Sequence, residues 1–492
     1  MPQKKIIIIG SGIAGIAAAI RLAIKGYAVE VFEANDQPGG KLAEIINNGY
    51  RFDAGPSLLT MPQYMDELFL LAGQHPADHF RYQKLDIICN YFFEDGTRIS
   101  AYANEQKFVN EIASKTNIST KSIEKHIDYS RNIYQLTHHV FLERSLSRIR
   151  NFFRSDAVKA LFNLHKIDTM RTMHTANERF FEDKRIVQFY DRYATYNGSD
   201  PYQAPATLNV IPHLEQHFGA YFPEGGMYSI ISSLVKLAGD LGVRFHYNAP
   251  VDEIVLEGKK AAGIKVNNQL READIIISNA DLWPTYKKLL KQYPHIHPQK
   301  TLEQERSSSA LIFYWGIKKQ FTRLDLHNIF FSADYKKEFD HLWQQKTIYS
   351  DPTVYINISS KLNAPDAPAG CENWFVMINA PANNGQDWDT LIAHARQNIL
   401  AKLTRLLGED ISRLIVCENV LDPRGIELKT SSYRGSIYGT SSNNRYSAFL
   451  RHANRSSKIK NLYFCGGSVH PGGGIPLCLL SAKIVSDWIP PA

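Results

Sequence analysis

The sequence predicts an α/β protein in two interleaved parts. One part carries a parallel sheet assembled from separated lengths of chain; the other carries antiparallel sheet and helices. Three observations predict this. A short apolar run, Ile6–Ile9, passes through Gly10, Gly12 and Gly15 into a helix-forming stretch and a second apolar run, Val29–Phe32. Two apolar runs flank Glu94-Asp95-Gly96, a hairpin signal. Strand-and-helix patterns then return at 230–281 and at 461–488, so the chain leaves the first part and comes back to it.

Each element has a local reason. Ile6–Ile9 is β-branched and apolar, which suits a strand buried on both faces. Gly10, Gly12 and Gly15 follow in G-x-G-x-x-G spacing. The first permits the tight turn, the second lets backbone approach a pyrophosphate, and the third lets the next helix pack on the strand. Ile16–Ala23 is rich in Ala and Leu with no Pro, a helix whose N-terminus aims free N–H groups at an anion. Glu33 closes the second strand about 20 residues after the glycines, where an acidic side chain accepts from ribose hydroxyls and disfavours a 2′-phosphate. The bland alternative is a glycine turn in an unrelated domain; strand, turn, helix, strand and terminal acid in order favour a dinucleotide.

Further on, Asp53-Ala54-Gly55-Pro56 reads as a turn, Met61–Ala72 as helix and Arg81–Ser100 as β structure. From Glu105 to Arg192 there is no Pro and no Gly, and the tone is helical. Asn197-Gly198-Ser199-Asp200-Pro201 breaks it, and a short helix starts at Ala204-Pro205-Ala206-Thr207. Ile230–Leu241 is an amphipathic helix, followed by strands at Val243–Phe245, Val251–Leu256 and Ala273–Ser278. Strands at Ala310–Ile317, Val354–Ile358 and Trp374–Asn379 and a helix at Trp388–Leu407 resume the second part. In the tail, Asn461–Phe464 runs into Cys465-Gly466-Gly467, a loop holds Gly472-Gly473-Gly474, and Leu477–Trp488 is helix. Such glycines let backbone approach a flat, bulky group. The resulting division is 1–75, 219–284 and 425–492 for the nucleotide part, 76–105 and 285–424 for the second part, and 106–218 for a helical region.

At 492 residues the chain exceeds one ordinary core. Its 44% hydrophobic and 21% charged residues exclude a wholly disordered protein. A net charge of +7 fits an anionic membrane surface and is too small to argue for nucleic acid. The five cysteines form no C-x-x-C pair, so neither a metal site nor a disulfide framework is expected, and a reducing compartment is. The apolar run at the N-terminus is too short for a signal peptide, and no stretch reaches the roughly 18 apolar residues of a spanning helix, so a soluble or peripheral protein is expected.

Together the dinucleotide motif, Gly39-Gly40-Lys41, F-D-A-G-P-S at 52–57, Y-F-P-E-G-G-M at 221–227, I-I-S-N-A-D at 276–281 and Y-F-C-G-G-S-V-H-P-G-G-G-I-P at 463–476 resemble the bacterial phytoene-desaturase-type carotenoid desaturases of the amine-oxidase-like flavoprotein superfamily. The stretch R-I-V-Q-F-Y-D-R-Y-A-T-Y-N-G-S-D-P-Y-Q-A-P-A-T-L at 185–208 looks most like the hydroxycarotenoid 3,4-desaturase branch. The resemblance implies a discontinuous Rossmann-like domain, FAD as cofactor, and a C40 carotenoid hydrated at C1 as substrate. It further implies an electron acceptor, oxygen or a quinone, and a cytoplasmic place on the inner face of the membrane. The cofactor contacts it implies are Gly10, Gly12, Ile13, Ala14, Gly15, Glu33, Gly39, Gly40, Lys41, Gly55, Pro56, Ser57, Val251, Gly466, Gly467, Gly474, Ile475 and Pro476. Gly467 stands where many amine-oxidase relatives have an acid, so no carboxylate is expected at the ribityl chain. Alternatives are a phytoene desaturase, a carotenoid isomerase without net redox change, and an amine oxidase with a polar amine pocket.

Removing a hydride and a proton from adjacent carbons needs a hydride acceptor and a proton sink. No catalytic base can be read from the sequence. Asp53 and His470 lie in motifs expected near the flavin, and for both a capping or loop-bracing role is favoured. A hydrocarbon substrate gains affinity mainly from burial, at about 25 cal/mol per Å², so a long apolar tunnel lined by the aromatic-rich second part is expected.

A basic amphipathic stretch, Leu142–Met170, is the candidate membrane-facing surface. Leu146, Ile149, Phe152 and Phe153 could insert while Arg144, Arg148, Arg150 and Arg154 meet head groups. The alternative is a solvated helix face. Each basic residue near an anionic surface contributes about 1 kcal/mol. Replacing Arg148, Arg150 and Arg154 with Glu is therefore expected to weaken sedimentation with anionic liposomes, with flavin content intact. Sedimentation equal to the parent's would assign these arginines to solvent.

Overall fold

The computed structural model describes residues 3–138, 143, 167–444 and 451–492. The stretch 144–166, which carries the proposed membrane-facing arginines, lies outside the described residues.

The chain starts with β1 (Lys5–Ile9), α1 (Ile13–Ile24) and β2 (Ala28–Phe32). It returns much later with α2 (Ser229–Asp240) and β3 (Arg244–His246), then β4 (Ile275–Ser278), and last β5 (Leu462–Phe464) and α3 (Ile475–Trp488). Among the described residues these strands form a five-stranded sheet in the order β5-β4-β1-β2-β3, every pair parallel. Ile6, Ile7 and Ile8 of the central strand are wholly buried, as a strand covered on both faces must be. Helix α1 packs against α2 and α3. Its Ile16, Ala17, Ala18, Ala19 and Ile20 are all inside, which explains a helix without a polar face.

A seven-stranded sheet, again among the described residues, forms the second layer. Its order is Ile415–Leu421, Ser309–Ile317, Glu372–Ala380, Val354–Asn357, His327–Phe330, Ile87–Phe92 and Arg98–Tyr102. Alternate residues of its central strands serve two cores. Leu311, Phe313, Trp315, Trp374 and Val376 pack with the helix Trp388–Leu407. Ala310, Ile312, Tyr314 and Phe375 face the other way, toward Tyr50 and Phe52. Both faces are therefore buried, and the strands read as continuous apolar runs rather than as alternation.

Three elements were not foreseen. Glu44–Asn47 and Tyr50–Asp53 pair as a hairpin over Asn48-Gly49, both with positive φ. Asn-Gly is a strong turn signal that could have revealed it. Val251–Glu257, expected as a strand, opens a three-stranded antiparallel meander whose other strands, Lys260–Val266 and Gln269–Glu272, were not expected. Ile415–Leu421 is an edge strand of the large sheet.

Asp53 ends the hairpin and ties the layers together. Its Oδ2 accepts from Met227 N at 2.9 Å, and its Oδ1 accepts from Tyr228 N at 3.0 Å and from Arg51 Nη2 at 2.8 Å. It thus satisfies free N–H groups at the start of α2. Arg51 also reaches Glu44 Oε2 at 2.8 Å and the fully buried Asp366 Oδ1 at 3.4 Å. These carboxylates hold the guanidinium well above its ordinary pKa despite burial. Asp53→Ala removes one partner of a buried pair and strands two N–H donors. It is expected to cost about 3 kcal/mol, seen as a lower midpoint in urea unfolding. A loss under about 1 kcal/mol would show that the cap carries little stability.

Candidate active site

The glycine turn is as tight as its spacing requires. Gly10 has φ +92° and its N–H donates to Phe32 O at 2.8 Å, locking the turn to β2. Gly12 is the N-cap of α1 and has no side chain to fill the helix end. A Cβ on Gly12 would lie 2.7 Å from Asn279 Nδ2, so the space beside this backbone is already shared. Gly15 lies against the Gly10 carbonyl, and Ile13 and Ala14 are buried in the first turn of α1. The second doublet sits on the first: Gly39 N donates to Ser11 O at 2.9 Å, and Gly40 faces Gly12 Cα.

Glu33 is buried and fully engaged. Oε2 accepts from Ser11 N and Ser11 Oγ, both at 2.8 Å, and Oε1 accepts from Asn35 N at 3.0 Å and Asn35 Nδ2 at 2.9 Å. A carboxylate has about four acceptor sites, so a ribose diol would replace the Ser11 hydroxyl or the Asn35 amide. Both are side chains that can rotate away. The approach to Val251 is tied to the same point, with Glu33 N on His246 O at 2.9 Å and Ala249 N on Glu33 O at 2.8 Å.

The turn 53–57 and the tail close on a common interior. Tyr314 OH donates to Ala54 O at 2.9 Å, and Gly55 packs so closely on the Lys41 carbonyl that no side chain would fit. Pro56 and Ser57 follow with part of their surface accessible. Gly466 N donates to Ser481 Oγ at 3.1 Å, and Gly467 lies against Gly473. Gly474 has φ +101° with open space where a side chain would be, and Ile475 and Pro476 begin α3 behind it.

Lys41, Tyr355, Tyr438 and Cys478 lie deep in the molecule yet keep accessible surface. Lys41 Nζ donates to Ile437 O at 2.7 Å. Burial pulls its ammonium below the ordinary lysine range, with Asp281 opposing the shift. Burial raises the Cys478 thiol to about 11, so it stays protonated.

Several buried polar residues received no role from the sequence, among them Arg451, Arg192 and Glu215. Arg451 donates to the carbonyls of Tyr438 at 2.8 Å and Gly467 at 3.2 Å, and to Asn197 Oδ1 at 2.9 Å. Burial lowers its guanidinium to about 10, so it remains charged at neutral pH. Arg192 and Glu215, both buried, pair at 3.1 Å. Tyr91 OH accepts from Arg192, Tyr193 OH donates to Glu215 at 2.7 Å, and Tyr196 OH also donates to Glu215. Asp53, as described, is occupied by α2 and Arg51. His470 is buried, with its N–H on His452 O at 3.0 Å and its carbonyl accepting from Asn454 Nδ2 and Ser481 Oγ. Among the described residues no helix is long and apolar enough to cross a membrane, and no group of acids, histidines and cysteines could hold a metal.

The interior fits a flavin dinucleotide: a bare helix N-terminus, a buried acid, backbone without side chains at three loops, and space beside a deep cation. The chain is 50% identical over 99% of its length, and 99% of the relative's, to a 1-hydroxycarotenoid 3,4-desaturase from a Flavobacterium species, strain P99-3. It is 33% identical to a 4,4'-diapolycopene oxygenase from a Methylomonas species, covering 99% of this chain and 98% of the relative. Its fold matches a solved oxidoreductase from Methanosarcina mazei with TM-score 0.64 at 15% identity, covering 98% of this chain and 100% of that one. The family of flavin containing amine oxidoreductases matches residues 13–489. The fold, the dinucleotide site with its buried acid and the match along nearly the whole sequence agree: this chain is an FAD-dependent oxidoreductase of the flavin containing amine oxidoreductase family.

Proposed function

We propose that the protein desaturates a 1-hydroxycarotenoid across its C3–C4 bond. The observation that carries this is the 50% identity, end to end, with a relative bearing that activity in its name. Bound FAD supplies the acceptor for the hydride. In this reading the glycine turn and the α1 N-terminus hold the pyrophosphate, and Glu33 the ribose. Lys41, Gly55–Ser57, Gly466–Gly467 and Gly474–Pro476 surround the ring system. The large sheet supplies the substrate side, and the division of the chain into six segments given above is part of the same proposal. The reaction releases a hydride and a proton and forms one C=C; the electrons leave to oxygen or a quinone. A cytoplasmic protein at the inner membrane surface would meet its lipid-borne substrate there.

A second reading, oxygenation of a terminal carbon, is favoured by the 33% identity to the oxygenase. Mass and absorbance of pigments from a carotenoid-producing host expressing the protein separate the two. Loss of two hydrogens with a red shift is expected. Gain of an oxygen atom would favour the second reading, and unchanged mass would favour isomerisation.

Cofactor contacts are tested directly. Gly12→Val places branched carbons where Asn279 already lies and closes the pyrophosphate approach, so the purified variant is expected to carry no FAD. Glu33→Ala is expected to weaken FAD binding by about 1.5–3 kcal/mol, the range for bonds to a charged group, measured by flavin release during titration. Full flavin in Gly12→Val would sink the assignment.

A further inference from the structure

We propose that Ser57, with Tyr355 and His327 behind it, is the anchor that recognises the substrate's C1 hydroxyl. The inference rests on the reading above and deepens it. With the hydroxyl on C1 and the reacting bond between C3 and C4, a single methylene separates the two. The oxygen then lies within about 4 Å of the nearer reacting carbon. A polar group that selects for this hydroxyl must therefore stand beside the loop facing the flavin, and not at the far end of a tunnel.

Ser57 closes the D-A-G-P-S turn, and its hydroxyl meets the large sheet there. Ser57 Oγ lies 2.6 Å from Tyr355 OH, Tyr355 OH lies 2.7 Å from His327 Nδ1, and Asn357 Nδ2 lies 3.2 Å from the same nitrogen. The direction of this chain follows from its ends. Burial, with the Arg192 charge adding to it, lowers His327 to about 3, so the ring is neutral. Asn357 Nδ2, the atom that faces the ring, can only donate, so Nδ1 is an acceptor and the ring proton is on Nε2. Nε2 is buried without a partner among the described residues; either tautomer would leave it so, and it does not decide the matter. The Tyr355 hydroxyl must then donate to Nδ1, and the Ser57 hydroxyl must donate to Tyr355. The lone pairs left on Ser57 Oγ form the open end of the chain, at a residue that keeps accessible surface.

That open end wants an O–H donor. A hydroxylated chain end supplies one, whereas a plain hydrocarbon end leaves the acceptor desolvated and unpaired. The neighbouring polar group offers no rival: the Glu215 oxygens are taken by Arg192, Tyr193 and Tyr196.

The test uses holoenzyme and two substrates, a 1-hydroxycarotenoid and the same carotenoid without the hydroxyl. The parent is expected to prefer the hydroxylated substrate about a hundredfold or more in kcat/KM. Tyr355→Phe keeps the ring but neither accepts from Ser57 nor donates to His327. It is expected to lower that preference at least about tenfold, with FAD content and melting temperature close to the parent's. Ser57→Ala is expected to lower the same ratio. Equal losses on both substrates, with the ratio unchanged, would overturn the anchor and leave desaturation standing. A flavin-loaded parent that turns over neither substrate would overturn the function and the anchor with it.

Discussion

The structure depends on one close approach, the packing of Asn279 among the glycine turns. Asn279 follows β4, which lies between β1 and β5, and its N–H donates to Ile9 O at 2.8 Å. Its side chain lies against Gly12, Gly15 and Gly466, where added Cβ atoms would come within 2.7, 3.2 and 3.2 Å. Two turns separated by most of the chain are thus held edge to edge by one amide. A side chain at any of these glycines would push apart the strand ends that frame the dinucleotide site. The parallel sheet fixes where β1, β4 and β5 end, and the missing Cβ atoms let those ends converge.

The second constraint is the cost of polarity in an apolar interior. A site that buries a hydrocarbon must still hold charged groups that orient the cofactor and the sheet. Among the described residues this is handled by closing polar groups on one another. Arg192 lies 4.1 Å over the Tyr193 ring and pairs with Glu215, whose oxygens also accept from two tyrosines. Arg451 spends its donors on carbonyls and an amide. Buried charges held this way are expensive to break, because removing one partner strands the other.

The turn geometry around Gly10, Gly12 and Gly15 was legible in the sequence because it is local. Gly10, Gly12, Gly15 and Glu33 stand at spacings fixed by one strand, one turn and one helix, and the tail glycines stand directly before α3. The hairpin at Asn48-Gly49 was equally local and was overlooked amid short, polar strands. The substrate side was not legible for a physical reason. Ser57 and Tyr355 are 298 residues apart, and Tyr355 lies on a strand buried on both faces. Nothing in V-Y-I-N tells which alternate residues face the helix and which face the interior; only the pairing with Glu372–Ala380 and His327–Phe330 sets that register. Lys41 stood in a recognised motif, but its depth depends on the remote Ile437 and Asp281.

This division of labour explains how relatives named for desaturation and for oxygenation share one fold. In the reading proposed above, the glycine turns and Glu33 serve the cofactor, a task common to flavin enzymes of this architecture. The chemistry done to a polyene depends instead on which carbon is held at the flavin and on what else has access there. The proposed anchor puts both where the turn 53–57 meets the strands of the large sheet. Ser57 comes from the turn after the Tyr50–Asp53 strand and Tyr355, His327 and Asn357 from the large sheet, so their hydrogen bonds span that junction. A change at Tyr355 alters polarity at this junction without touching a strand of the parallel sheet. A change at Gly12 does the reverse. Gly12 and Tyr355 thus belong to different sheets, while Ser57, on the turn between them, is placed by these readings at both the ring system and the substrate.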